Sequence, residues 1–183
     1  MLARPCVAIV GSRHPTPYGE RVARDLSGAL ASAGACIVSG LAFGIDAIAH
    51  RAALAAGGVT AAVLGAGIDT VYPRSHVSLY EEIARYGVVL SEFAAGVGTF
   101  QGCFPRRNRI IAGLCRLTIV VEAGAKSGSL ITAGYAGDFG RNIAAVPGPI
   151  DSEQSAGTNQ LLRDGAQVIA TIDDALALAD LAG

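Results

Sequence analysis

Short runs of apolar, often β-branched residues alternate along this chain with longer Ala- and Leu-rich stretches of helical period, and a loop rich in glycine or proline follows almost every run. That order is the pattern of successive βαβ units. It predicts an α/β fold with a mostly parallel, open sheet and helices on both faces. The expected strands are residues 7–10, 36–39, 60–64, 88–91, 117–121, 143–146 and 168–170. Most are apolar at every position, as a sheet covered on both faces demands. Residues 19–33 place Val22, Leu26 and Leu30 on one helical stripe, and residues 46–56 do the same with Ile48, Ala52 and Leu54. Further helices are expected over 107–114, 129–139, 159–164 and, closing the chain, 173–181. At 183 residues the whole chain, 1–183, fits one domain.

The net charge of −1 excludes a uniformly basic nucleic-acid binder, yet residues 93–121 hold four arginines and no acid. Any polyanion site must therefore be a local patch. The four cysteines are far apart, with neither a C-x-x-C pair nor a histidine at ligand spacing, so buried thiols are expected and no metal site or disulfide. No apolar stretch approaches the roughly 20 residues that span a bilayer. Residues 1–10 lack the apolar region and cleavage site of a secretory signal. The expectation is a soluble, cytoplasmic protein with no membrane contact.

Glycine and proline cluster where the strands should end, and in an open parallel sheet those loops form the binding crevice. The first, Gly11-Ser12-Arg13, offers close backbone approach to an oxyanion, a hydroxyl and a guanidinium beside a helix N-terminus, which is a phosphate cradle. The plainer alternative is an ordinary turn capped by Ser12. The second loop begins at Ser39, has Gly40 and Gly44 for tight turns, and ends at Asp46, an expected N-cap for the helix that bears His50. Neither loop carries the G-x-G-x-x-G fingerprint and no acid ends the second strand, so no dinucleotide cofactor is expected. His50 reads as a structural residue rather than a base, because no carboxylate or nucleophile can be assigned to it.

The segment FPRRNRIIAG sends Arg106, Arg107, Asn108 and Arg109 into a helix whose Ile110, Ile111 and Leu114 form its buried side. Arg107, Asn108 and Arg109 are placed to reach a polyanion, and Phe104 to stack on a base. Alternatively, Arg109 and Arg107 hold carboxylates such as Glu122 inside the fold, with Phe104 in the core. After the fifth strand, Lys126, Ser127, Gly128 and Ser129 supply a cation, hydroxyls and helix-starting amides, a second anion-binding loop. Its order is not G-x-x-x-x-G-K-[ST], so triphosphate hydrolysis is not expected. Glu122 is expected to pair with an arginine, and no catalytic residue is assigned.

Taken in order, VAIVGSR, VSGLAFGIDAIAH, LGAGIDTVYP, LSEF, FPRRNRIIAGL, VVEAGAKSGSLITA, GRNIAAVPGPI and GTNQLL with DGA resemble the DprA (Smf) family over nearly the whole chain. The resemblance implies an extended Rossmann-like fold that binds single-stranded DNA with little sequence preference. It further implies protection of that DNA and loading of the RecA recombinase during natural transformation, with no cofactor and no reaction catalysed. Carried onto this sequence, Gly11, Ser12 and Arg13 would bind backbone phosphate. Arg107, Asn108 and Arg109 would line a basic pocket, completed by Lys126 with Ser127, Gly128 and Ser129. The family commonly forms a homodimer through this domain, for which Ile169, Ile172, Leu176 and Leu178 are candidate contacts. Its members usually add an N-terminal helical domain and often a C-terminal winged-helix-like domain, so this chain reads as the core alone. Cys115 stands where the family usually has serine, and SEFAAGVGTFQGC is a proline-poor approach to the arginine-rich helix.

The rival reading is a small-nucleotide enzyme or sensor like the lysine-decarboxylase-like phosphoribohydrolases. Those carry a P-G-G-x-G-T-x-x-E helix start, whereas the matching region here is AGAKSGSLITA, without the glutamate that would serve as general base. A protein-binding scaffold with a vestigial pocket is the third possibility.

Overall fold

The computed structural model describes residues 4–181. Seven strands form one sheet: β1 (Cys6–Val10), β2 (Cys36–Ser39), β3 (Val59–Val63), β4 (Val88–Leu90), β5 (Leu117–Val120), β6 (Asn142–Ala145) and β7 (Gln167–Val168). Their order is β4-β3-β2-β1-β5-β6-β7 and every pairing is parallel. The helices are α1 (Pro17–Ser32), α2 (Ile45–Ala55), α3 (Val77–Tyr86), α4 (Cys103–Leu114), α5 (Ser129–Asp138), α6 (Ala156–Arg163) and α7 (Ile172–Leu178). This is the α/β, Rossmann-like architecture expected. No helix among the described residues is long and apolar enough to cross a membrane.

Strand period distributes the core. Val7, Ile9 and Ile37 point to one face and meet Leu26 and Leu30 of α1, Ile45 and Ala49 of α2, and Ala175 of α7. The alternate positions Cys6, Ala8, Val10, Cys36 and Val38 point to the other face, against Ile111 of α4 and Ala133 of α5. All four cysteines are buried and free, packed as small apolar groups. A third cluster joins Leu79 and Ile83 of α3 to Ala62 and Leu64.

The sequence pattern did not predict α3. Its fully buried residues are one i, i+4 pair, Leu79 and Ile83, and it has no side-chain N-cap. α4 starts at Cys103, four residues before the expected 107, because Pro105 lies in the first turn, where a missing N–H costs nothing. Thr16, not Ser12, caps α1, accepting from the Gly19 N–H at 3.2 Å. On α2 the fully buried line is Ile45, Ala49 and Ala53, not the expected Ile48, Ala52 and Leu54, of which Ile48 and Leu54 are only partly buried. Of the candidate dimer contacts, Ile169 is 3 % exposed inside the core, Leu176 and Leu178 are partly buried against it, and Ile172 is 40 % exposed.

Candidate functional site

Strand order reverses between β1 and β5: the chain walks outward from β1 through β2 and β3 to β4, then returns to β1's other side and walks outward again. At such a switch point the loops leaving the two strands diverge and open a crevice at their carboxyl ends. A cleft of about 560 Å³ lies there. Gly11, Ser12 and Arg13 after β1, Lys126, Ser127, Gly128 and Ser129 before and into α5, and Phe104, Arg107 and Asn108 on α4 all line it. Ten of the proposed site residues are therefore brought together.

Close packing of loops shapes the β1 side. A Cβ at Gly11 would lie 2.7 Å from Ile45 Cγ1, so only glycine fits. The Ser12 N–H donates to the Glu122 carbonyl at 2.7 Å, and the Ser12 carbonyl accepts from the Ile45 N–H at 3.1 Å. Arg13 is exposed, with its guanidinium carbon 5.5 Å from the centre of the Phe104 ring. Phe104 is half-buried, with the Tyr72 ring centre 5.4 Å and the Arg107 guanidinium carbon 5.9 Å from its own ring centre.

Ser39, Gly40 and Gly44 do not line the cleft; they build its support. Ser39 is buried and its hydroxyl donates to the Ile9 carbonyl at 2.7 Å, joining β2 to β1. Gly40 lies against the Arg107 guanidinium, 2.4 Å from where a Cβ would project. Gly44 has φ +71°, and its absent Cβ would meet the Ser12 carbonyl oxygen at 2.3 Å. Gly44→Ala is thus expected to destabilise the protein by about 1–3 kcal/mol from backbone strain alone, with the clash in addition, read as a lowered thermal midpoint. Asp46 is not the N-cap, which is Gly44. Its carboxylate turns back to accept from the Gly40 N–H at 3.0 Å and the Ala42 N–H at 3.4 Å, and it lines the cleft.

The three arginines of α4 separate. Arg107 is 3 % exposed and forms the cleft floor, where its guanidinium donates to the Gly40 carbonyl at 2.6 Å and to the Val63 carbonyl. Burial pulls this guanidinium down from its ordinary value and pushes the Asp46 carboxyl up; in each case the other's charge opposes the shift. Arg106 and Arg109 lie outside the cleft lining, both paired with Glu92, Arg106 at 3.4 Å. Asn108 is held by its amide, which donates to the Gly128 carbonyl at 3.2 Å. The expected pairing of Glu122 with an arginine is not formed. Its carboxylate accepts from the Thr16 N–H and hydroxyl, because the start of α1 sits directly above it.

The α5 loop differs in one respect from the expected amide cradle. The Leu130 and Ile131 N–H groups already donate to the Ser127 and Gly128 carbonyls, at 3.1 and 3.2 Å. Its anion-binding capacity therefore rests on Lys126, the Ser127 and Ser129 hydroxyls, 2.8 Å apart, and the helix dipole. Thr132 also lines the cleft and was not foreseen, although it lies one turn after Ser129 on the same helix face. His50, fully buried in α2, takes no part in the cleft.

A family model described as DNA recombination-mediator protein A matches residues 1–180. DNA processing protein DprA of Streptococcus pneumoniae is 45% identical over 181 residues, covering 97% of this chain and 62% of that protein. Protein Smf of Synechocystis is 48% identical over 173 residues, covering 94% of this chain and 44% of its own length. The chain thus spans about half the length of such relatives. The X-ray structure of the S. pneumoniae protein superposes with a TM-score of 0.90 at 44% identity, over 96% of this chain and 62% of that one. The DNA processing protein A structure from Helicobacter pylori, described for its single-stranded DNA binding mode, superposes at 0.89 with 36% identity, over 98% of this chain and 81% of that one. A cleft at the β1–β5 switch point, framed by the arginine-rich start of α4 and the lysine–serine loop of α5, therefore sits in a fold and a sequence that belong to the DNA recombination-mediator protein A family, also called DprA or Smf.

Proposed function

We propose that this chain binds single-stranded DNA in the switch-point cleft with little sequence preference, and that it catalyses no reaction there. The observation that carries the reading is the pairing of exposed cations with an aromatic face. Arg13 and Lys126, both exposed, line the same cleft from two different loops, and the Phe104 ring lies under Arg13. Cations on a backbone track beside a ring on which any base can stack are the elements of sequence-tolerant single-strand binding. The single-strand binding described for the H. pylori relative supports the same assignment. Arg107 and Asn108 act beneath the strand as floor and wall, and Ser127 and Ser129 as neutral donors. Arg106 and Arg109 contribute only where phosphate displaces Glu92. The cellular role we assign is the one the family resemblance implies: protecting incoming single strands in the cytoplasm and loading RecA on them, as a homodimer.

Titration of a fluorescent oligothymidylate tests the proposal. Arg13→Ala and Lys126→Ala are each expected to lower affinity and to reduce the slope of log K against log salt by about 0.7, the value for one phosphate contact on a single strand. The cleft volume also suits a small nucleotide. Ready displacement of the oligonucleotide by a mononucleotide, or unchanged slopes in both variants, would favour that second reading.

A further inference from the structure

Glu122 lies two residues beyond β5, is 3 % exposed, and makes three hydrogen bonds to one short segment. Its backbone carbonyl accepts from the Ser12 N–H at 2.7 Å. One carboxylate oxygen accepts from the Thr16 N–H at 2.9 Å and the other from the Thr16 hydroxyl at 2.5 Å. Two glycines make room for it: a Cβ at Gly11 would lie 2.8 Å from the Glu122 carbonyl oxygen, and one at Gly19 would lie 2.8 Å from its Oε2. Both ends of the 12–16 loop are therefore fixed by a single residue, and Arg13 lies between them.

A carboxylate beside an anion-binding cleft would ordinarily repel the ligand. Here the charge is turned away. Glu122 faces the N-terminus of α1, where the helix dipole and the Thr16 donors neutralise it, and it does not line the cleft. We propose that Glu122 is a positioning residue: it clamps the 12–16 loop so that Arg13 is held over Phe104 before a phosphate arrives. This rests on the single-strand reading of the cleft. Pre-ordering the backbone that carries a long, flexible guanidinium side chain removes part of what binding must otherwise immobilise.

The test is a double-mutant cycle on oligothymidylate binding with Glu122→Ala, Glu122→Gln and Thr16→Val, each alone and combined with Arg13→Ala. Losing one phosphate contact lowers affinity roughly four- to eightfold between about 0.15 and 0.05 M salt. Glu122→Ala and Thr16→Val are expected to approach that loss, with the same fall in salt slope, and to add less than about twofold once Arg13 is alanine. Glu122→Gln, whose side-chain oxygen still accepts from the Thr16 N–H, should bind within about twofold of the parent. Losses that add fully to that of Arg13→Ala overturn the clamp. If Glu122→Ala does not fold, Thr16→Val carries the same test, because it exchanges for a methyl the one hydroxyl that both binds Glu122 and caps α1. A second readout is independent of DNA: in the free protein the Thr16 amide proton, which donates to the carboxylate, should exchange faster in Glu122→Ala, and unchanged protection overturns the proposal. If Arg13→Ala alone leaves binding intact, the single-strand reading fails first.

Discussion

Arg107→Ala is expected to destabilise the protein by about 3–5 kcal/mol, the largest effect of any substitution in the cleft. The guanidinium is 3 % exposed and holds three elements at once: it projects from α4 and donates to carbonyls at the end of β2 and in β3. Alanine leaves the Gly40 and Val63 carbonyls without their donor and the buried Asp46 carboxylate without its counter-charge. Orphaned acceptors cost about 1–3 kcal/mol each, and an uncompensated charge costs more. Arg107→Lys should recover little, since an ammonium is a point donor and cannot reproduce the planar fork that spans two carbonyls. Urea denaturation checks this through a lowered midpoint at an unchanged slope. Adding Asp46→Asn to Arg107→Ala should return part of the loss, because it removes the stranded charge. A midpoint equal to the parent's would mean that water replaces the guanidinium at both carbonyls.

What the sequence disclosed and what it concealed divide along the range of the interactions. The strands and six of the seven helices follow from local period, because two-faced apolar runs and helical stripes are properties of neighbours in the chain. α3 escaped because one fully buried pair is too short a stripe to register. In the site, the glycines and cations of the two anion loops were legible from composition at strand ends. The fate of each arginine was not. The acid-free window that suggested a basic patch begins at residue 93, and the acid that pairs with both Arg106 and Arg109 is Glu92, one position outside it. Likewise Glu122 was matched to an arginine by charge, whereas its partner, Thr16, is 106 residues away and is set by the β1–β5 pairing. Charge identifies a candidate; topology decides its partner.

The second large effect is a loss of stability in acid that originates at His50. The ring is fully buried on α2. Its Nδ1 lies 2.6 Å from the Thr60 hydroxyl, whose own proton goes to the Ile37 carbonyl at 2.7 Å. Nδ1 must therefore carry the ring proton and donate, which leaves Nε2 as the basic nitrogen, without a partner among the described residues. Burial, then the positive charge of Arg107, then His76, push the imidazole down from 6.5 to about 3. An unfolded chain takes up this proton near pH 6.5, while the folded protein refuses it until about pH 3. Between these values the unfolded state binds more protons, so stability rises with pH; the contribution is complete above pH 6.5 and is lost as pH falls toward 3. At 1.36 kcal/mol per pH unit the full window amounts to about 4–5 kcal/mol. Asp46 acts with the opposite sign, because its raised carboxyl holds a proton longer in the folded state. For this reason the difference between the parent and His50→Gln, rather than the parent's curve, isolates the histidine. That difference should be flat above pH 6.5 and shrink by about 1.4 kcal/mol per unit below it, measured by urea denaturation at stepped pH. A constant difference down to pH 4 would mean that the folded protein accepts the proton as readily as the unfolded chain.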